Sequence, residues 1–259
     1  MRIEDIRATV KGRLGREILF YETVDSTNTI AADLAEKNPE GTVILADCQK
    51  KGRGRLGRHW LSPGGVNIYM SVILRPDVEP KDTTLVTLMA AVACTLALRR
   101  VTGILITIKW PNDLMASGKK IGGILTEMKT AGTRVISVVI GVGINVNGDR
   151  DSFPEEIRGI ATSVKNETGK QASRETIIAE ILNEINRLYP LIERTAGRDR
   201  LLSEWKNLTS TLGKQVIVIT GQETLSGYAE SIDDEGLLLL RLPSGELKSI
   251  SSGDLTILR

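Results

Sequence analysis

The chain has 259 residues, of which 41% are hydrophobic and 25% charged, with a formal net charge of +2. These figures describe a folded chain large enough for one large domain or for a core domain plus a small one, and they exclude a disordered protein. So small a net charge leaves nucleic-acid binding to a local patch. The two cysteines, Cys48 and Cys94, make no disulfide framework, so a reducing cytoplasm is the simplest setting.

Met1 to Arg16 is charged throughout and lacks the apolar core of a signal peptide. In Asp25-Ser26-Thr27-Asn28, side chains that cap helices precede Ile30, Ala31 and Leu34, and this predicts a helix over Ser26 to Lys37 that ends near Asn38-Pro39. Capping accounts for one of the four polar residues; the others are candidates for meeting a polar ligand at the helix start. Thr42 to Cys48 reads as a strand leading into Gln49 and the loop Lys50–Trp60. That loop carries five lysines and arginines, no acid, and glycines alternating with arginines. It reads equally as a solvated basic loop or as a flexible clamp whose arginine forks suit phosphate or carboxylate.

After the Pro63-Gly64-Gly65 turn, Val66 to Leu74 alternates as a strand. From Asp82, an expected N-cap, Leu85, Leu88, Met89, Val92 and Leu96 predict a long buried helix to about Arg100. Its uncharged core, Thr84 to Leu98, is too short to span a bilayer comfortably. Ile104 to Ile108 is a strand that delivers Lys109-Trp110-Pro111-Asn112-Asp113. After a turn at Ala116–Gly118 comes Lys120-Ile121-Gly122-Gly123-Ile124-Leu125. Thr133 to Ile140 is a strand ending in Gly141-Val142-Gly143-Ile144-Asn145. Ser173 caps a helix through Leu188, kinked at Pro190, and a shorter helix carries Leu201, Leu202 and Trp205. Together these predict an α+β domain, a mixed sheet with helices packed against it. Five short strand-like runs follow, at Lys214–Thr220, Glu223–Ile232, Gly236–Leu242, Glu246–Ile250 and Leu255–Leu258. They predict a small SH3-like barrel, so the chain divides into residues 1–208 and 209–259.

Gly52-Arg53-Gly54-Arg55-Leu56-Gly57 fits the dinucleotide pattern G-x-G-x-x-G, but a turn and a strand follow it where that motif requires a helix. No Walker loop is present. An aromatic content of 3% gives little base stacking, which weighs against a nucleic-acid module built on the loop. His59, the only histidine, sits among arginines and is read as a bystander. With two distant cysteines it makes no zinc site. Lys109 stands at a strand end, and is either a surface lysine or the cation that holds a carboxylate against a phosphate.

Asp25-Ser26-Thr27-Asn28, Gln49 with Gly52–Trp60, Lys109–Leu114, Lys120–Leu125 and Gly141–Asn145 resemble, in order, the motifs of biotin protein ligases. The resemblance runs from about Thr23 to the last strand. It implies a catalytic domain like that of class II aminoacyl-tRNA synthetases, and a two-step reaction. Biotin and Mg²⁺-ATP give biotinyl-5′-AMP, and the biotinyl group then passes to a lysine of a carboxylase's biotin-carrier domain. The resemblance implies Ser26, Thr27, Asn28, Gln49, Gly52, Arg53, Gly54, Arg55 and Lys109 for biotin. For ATP and the adenylate it implies Arg53, Arg55, Arg58, Trp60, Lys109, Asn112 and Asn145, with Lys109, Arg53 and Arg55 catalytic. No fixed protein metal site is implied. Too few residues precede Asp25 for the winged-helix domain of some members, so no DNA partner is expected, nor a membrane one; a homodimer through the sheet is compatible with the family. A lipoate or octanoate ligase is the alternative within the superfamily.

Overall fold

A computed structural model describes residues 1–221 and 223–258. The larger unit is built on a seven-stranded sheet of β1 (Ile18–Val24), β2 (Val43–Gln49), β3 (Ile68–Leu74), β4 (Ile106–Lys109), β5 (Asp113–Ala116), β6 (Lys119–Ala131) and β7 (Arg134–Ile144). The strands lie in the order β1-β2-β3-β7-β6-β5-β4; β1 and β2 are parallel and the other pairs antiparallel. The helices are α1 (Ile3–Thr9), α2 (Thr27–Leu34), α3 (Thr83–Thr102), the short α4 (Glu155–Arg158) and α5 (Val164–Thr168), α6 (Arg174–Leu188) and α7 (Thr195–Leu208). The expected α+β architecture is present.

Helix α3 is buried between the sheet and α6 and α7, which is why its sequence lacks a polar stripe. By length and composition alone the helical stretch Pro80–Thr102 could cross a membrane, but most of it is buried inside the fold. The opposite face of the sheet carries α2, whose Ala31 packs with Ala35, Ile44, Ile73 and Val139 in a second, smaller cluster. Strand β3 is therefore covered on both sides. All seven of its residues are buried, including Tyr69, Ser71 and Ile73 on the face that the alternating pattern had left unassigned.

Two local expectations are corrected. Helix α2 stops at Leu34, three residues before Lys37. Asp82 occupies the N-cap position of α3 without capping it, because its carboxylate is turned to Arg198 of α7, 2.9 Å away. As expected, the helix of Leu201, Leu202 and Trp205 is shorter than α6, by one residue, at 14 against 15. Ser173 does cap α6, accepting from the Thr176 N–H at 3.1 Å.

The C-terminal strands β8 (Gln215–Ile219), β9 (Thr224–Ile232), β10 (Leu238–Arg241), β11 (Leu247–Ile250) and β12 (Asp254–Ile257) form one antiparallel sheet in the order β11-β10-β9-β8-β12. This is the strand count expected of the small SH3-like unit. It docks on the β4–β5 corner: Trp110 N–H donates to Thr211 Oγ1 at 2.9 Å and its indole N–H to Gly236 O at 3.3 Å. That docking brings β12 and the end of β8 against the face that carries α2, where the cavity lies.

Candidate active site

Two glycines hollow the sheet. Gly143, Gly123, Asp113 and Lys109 face one another in a single row across β7, β6, β5 and β4. A Cβ on Gly143 would stand 2.7 Å from Trp60 Nε1, so the loop can lay its indole on the strand only because that residue is glycine. The next row contains Ser71, Gly141 and Leu125, and Asn28 of α2 packs directly on Gly141. Over this trough lies a cavity of about 620 Å³, walled on its far side by Ile219, Gly253, Asp254, Leu255 and Thr256 of the C-terminal unit.

Twelve of the thirteen residues singled out from sequence line it: Ser26, Thr27, Asn28, Gln49, Arg53, Gly54, Arg55, Arg58, Trp60, Lys109, Asn112 and Asn145. The thirteenth, Gly52, is buried behind the wall. A Cβ there would meet Trp60 O at 2.4 Å, so Gly52 lets the two arms of the loop close on each other.

At one end Ser26, Thr27 and Asn28 are buried, and the side chains of Thr27 and Asn28 have internal partners in Gln49, Ser71 and Glu127. Ser26 holds the N-cap position of α2, yet its side chain makes no capping bond. The cap is supplied by Gln49 from β2, whose Oε1 accepts from the Thr27 N–H at 2.9 Å while its Nε2 donates to Ser62 Oγ at 3.0 Å.

The basic loop is a hairpin closed by Trp60 N–H to Gly52 O at 2.8 Å and Gly54 N–H to Arg58 O at 2.7 Å. Leu56 at its tip is exposed, with φ of 55°. For a non-glycine residue this costs about 1–2 kcal/mol. Each arginine has a partner. Arg53 reaches Glu127 at 2.9 Å, Arg58 pairs with Asp254 of β12, and Arg55 donates to Asn112 Oδ1 at 3.1 Å and Gly253 O at 3.5 Å. Burial pulls the Arg55 guanidinium below its usual value, opposed by Asp113 and Asp254. It remains a cation at neutral pH, because arginine starts from so high a value.

Asn112 and Asn145 are anchored: Asn112 Nδ2 donates to Ile124 O at 2.6 Å and Asn145 Nδ2 to Thr162 O at 3.0 Å. Lys109 Nζ lies 3.2 Å from Asp113 Oδ2. The other Asp113 oxygen pairs with Lys120, whose ammonium also sits 5.5 Å from the centre of the Trp60 ring. His59 lines the rim, exposed.

Sequence reasoning gave no role to Lys120, Glu127 or Asp254. Lys120 could have been found as the cation three residues before Gly123. Glu127 and Asp254 carry no local signal, since they are selected by loops distant in sequence. The apolar rim of Phe153, Ile157 and Ile160 also went unmarked, in a stretch without periodicity.

The geometry is that of a trough lined by buried polar side chains and by a group of cations, able to hold a ligand that carries both polar groups and anions. Residues 20–145 match the Biotin/lipoate A/B protein ligase family, and residues 211–255 match the Biotin protein ligase C terminal domain. The chain is 40% identical over 245 residues to the Bifunctional ligase/repressor BirA of Bacillus subtilis, covering 94% of this chain and 75% of that protein. It is 34% identical to the Biotin–[acetyl-CoA-carboxylase] ligase of Paracoccus denitrificans, covering 85% of this chain and 92% of that one. The solved structure of a biotin protein ligase from Aquifex aeolicus in complex with biotin and ATP superimposes with a TM-score of 0.79 at 30% identity, over 94% of this chain and 99% of that one. The fold and site thus define a ligase of the biotin/lipoate class. Within that class, the chain belongs to the biotin protein ligase family.

Proposed function

We propose that this chain activates biotin with Mg²⁺-ATP to biotinyl-5′-AMP and passes the biotinyl group to a lysine of a carboxylase's biotin-carrier domain, in the cytoplasm. The observation that carries this reading is the gathering of four cations on the lining of the trough: Lys109 and Lys120 share Asp113, Arg55 reaches Asn112, and Arg58 pairs with Asp254. When the biotin carboxylate attacks the α-phosphate two anions approach, and positive charge already held in place lowers that repulsion in the transition state.

Asp113 keeps both ammonium groups in position by bridging them. Lys120, beside Trp60 and Gly123, takes the carboxylate and the bridging oxygen of the adenylate. Lys109, on the outer side of Asp113, takes the phosphates with Arg55 and Arg58. This moves to Lys120 the carboxylate contact expected at Lys109. Ser26, Thr27, Asn28 and Gln49 receive the ureido ring. Arg53, Gly54 and Trp60 close over it, shielding a mixed anhydride from water. Gly52 allows that closure, and Asn112 and Asn145 brace the nucleotide side.

Mg²⁺ would enter with the triphosphate and offset part of its charge. The catalytic unit is placed at residues 1–208 and the small unit at 209–259, a division supported by the two separate sheets.

The test is to mix the full chain with ATP, Mg²⁺ and either biotin or lipoate, and to follow pyrophosphate release and acyl transfer to a carrier domain. Biotin-dependent release followed by transfer is expected. Release with lipoate and not biotin would identify the lipoate ligase instead, and salt-sensitive DNA binding without adenylation a nucleic-acid module.

A further inference from the structure

The polar floor of the cavity ends on a carboxylate that does not line it. Glu127 lies on β6, two residues beyond Leu125 on the same face and opposite Val139 of β7. Its Oε2 accepts from Asn28 Nδ2 at 2.7 Å and from the Arg53 guanidinium at 2.9 Å. An ionised carboxylate only accepts, so the Asn28 amide must turn its NH₂ group toward Glu127. The second N–H of that group reaches Leu125 O at 3.3 Å.

Asn28 is buried against the strand, where a Cβ at Gly141 would lie 2.2 Å from its Oδ1. With NH₂ on Glu127, Oδ1 faces Ser71 Oγ at 2.6 Å. Ser71 is wholly buried and has one proton to give. Given to Asn28, it leaves Ser71 to accept from Thr27 Oγ1 at 2.8 Å. Gln49 Oε1, 3.2 Å from Thr27 Oγ1, is the other acceptor within reach of the single Thr27 hydroxyl proton; the shorter contact to Ser71 takes that proton once Ser71 has given its own to Asn28, and Gln49 Oε1 is held by the Thr27 backbone N–H at 2.9 Å. The chain of donors runs one way, and Thr27 Oγ1 and Gln49 Oε1 are left offering lone pairs to the cavity.

We infer that Glu127 is a positioning residue that sets the hydrogen-bond polarity of this floor, making it a receiver for the N–H donors of a ligand. The inference rests on the reading of this end as the place of biotin's ureido ring, which carries two such donors. Neutralising Glu127 as Glu127→Gln keeps its shape but lets position 127 donate. Asn28 can then turn over, Ser71 gives its proton to Thr27, and the floor no longer has a fixed direction. The carboxylate also links floor and lid, because the same Oε2 holds Arg53.

The experiment measures biotin dissociation by calorimetry and KM for ATP by pyrophosphate release, in wild type, Glu127→Gln, Arg53→Ala and the double variant. The expected result is biotin binding weakened about tenfold by Glu127→Gln, the scale of one mismatched buried hydrogen bond. KM for ATP and the melting temperature stay unchanged, and the weakening persists when Arg53 is already alanine. A weakening below about fivefold would overturn the inference. So would a loss shared equally by biotin and ATP with a fall in melting temperature, the mark of a merely structural residue. A weakening that vanishes in the Arg53→Ala background would reduce Glu127 to a lid anchor. Wild type that binds no biotin refutes the biotin reading itself, whereas normal wild-type binding with an unaltered Glu127→Gln refutes only the role of Glu127.

Discussion

Gly143→Ala tests whether the glycine trough exists to seat Trp60. The added Cβ would lie 2.7 Å from Trp60 Nε1, 2.8 Å from Cε2 and 3.1 Å from Cζ2, so it cannot share the space with the ring. Overpacking of this kind costs about 1–3 kcal/mol where the surroundings are rigid. Here the strand is rigid and Trp60 is not: β7 is hydrogen-bonded on both sides, whereas the indole belongs to a loop and its N–H has no partner. The strain is therefore relieved by displacing Trp60, and with it the loop and the ring under Lys120. Expressed in the closed state of the loop, about 1–3 kcal/mol is a five- to 150-fold loss in apparent biotin affinity. If the sheet absorbed the strain, the melting temperature would fall by about 2–4 °C per kcal/mol. Pyrophosphate release against biotin concentration, beside a thermal melt, separates the two. A KM for biotin raised by at least about fivefold with a melt shifted by less than about 2 °C is expected. An unchanged KM, or a large melting shift alone, would refute the argument.

Lys120→Ala and Lys109→Ala should each lower biotinyl-AMP formation by about 10²–10³-fold with the fold retained, as when a preorganised charge is lost from a transition state. Lys120→Ala should raise KM for biotin more than Lys109→Ala, and the reverse order would return the carboxylate to Lys109. Amide exchange in Gly52–Arg58 should slow when biotin and ATP are added; equal exchange with and without ligand would argue against a closing lid. Cys94 is wholly buried and its thiol is pushed up by that burial, so a native-state thiol reagent should spare it and label it only after unfolding, with peptide mapping as the readout. Burial raises the phenols of Tyr69 and Tyr189, the latter also through Glu40. The unfolded chain therefore loses these protons first, and stability should fall as pH rises above about 10; a melting temperature flat through that range would contradict it.

The signals legible in sequence were those whose cause is local. Alternation, helical spacing and the Ser173 cap follow from neighbours a few residues apart, and so do the Gly52–Trp60 and Lys109–Asn112 segments that the structure brings to one cavity. Asp82 and Ser26 show the limit. Both are residue types that cap helices and both stand at the right position, yet Arg198 claims the first and Gln49, from a neighbouring strand, does the capping for the second. β3 shows it in another way: its two faces are equally buried because α2 returns across the sheet, which no pattern within seven residues can announce.

By itself, then, the sequence determined the element types, the two-part architecture, the family and the segments that line the site, since each depends on residue chemistry and short spacing. The tertiary structure decided how the charges are apportioned. Strand register set Asp113 between Lys109 and Lys120, and the docking of the C-terminal unit gave Asp254 to Arg58. The pairing of β6 with β7 placed Glu127 beneath Asn28 and Arg53. The strength of a charge or hydrogen bond depends on distance and burial, and those are properties of the packed chain.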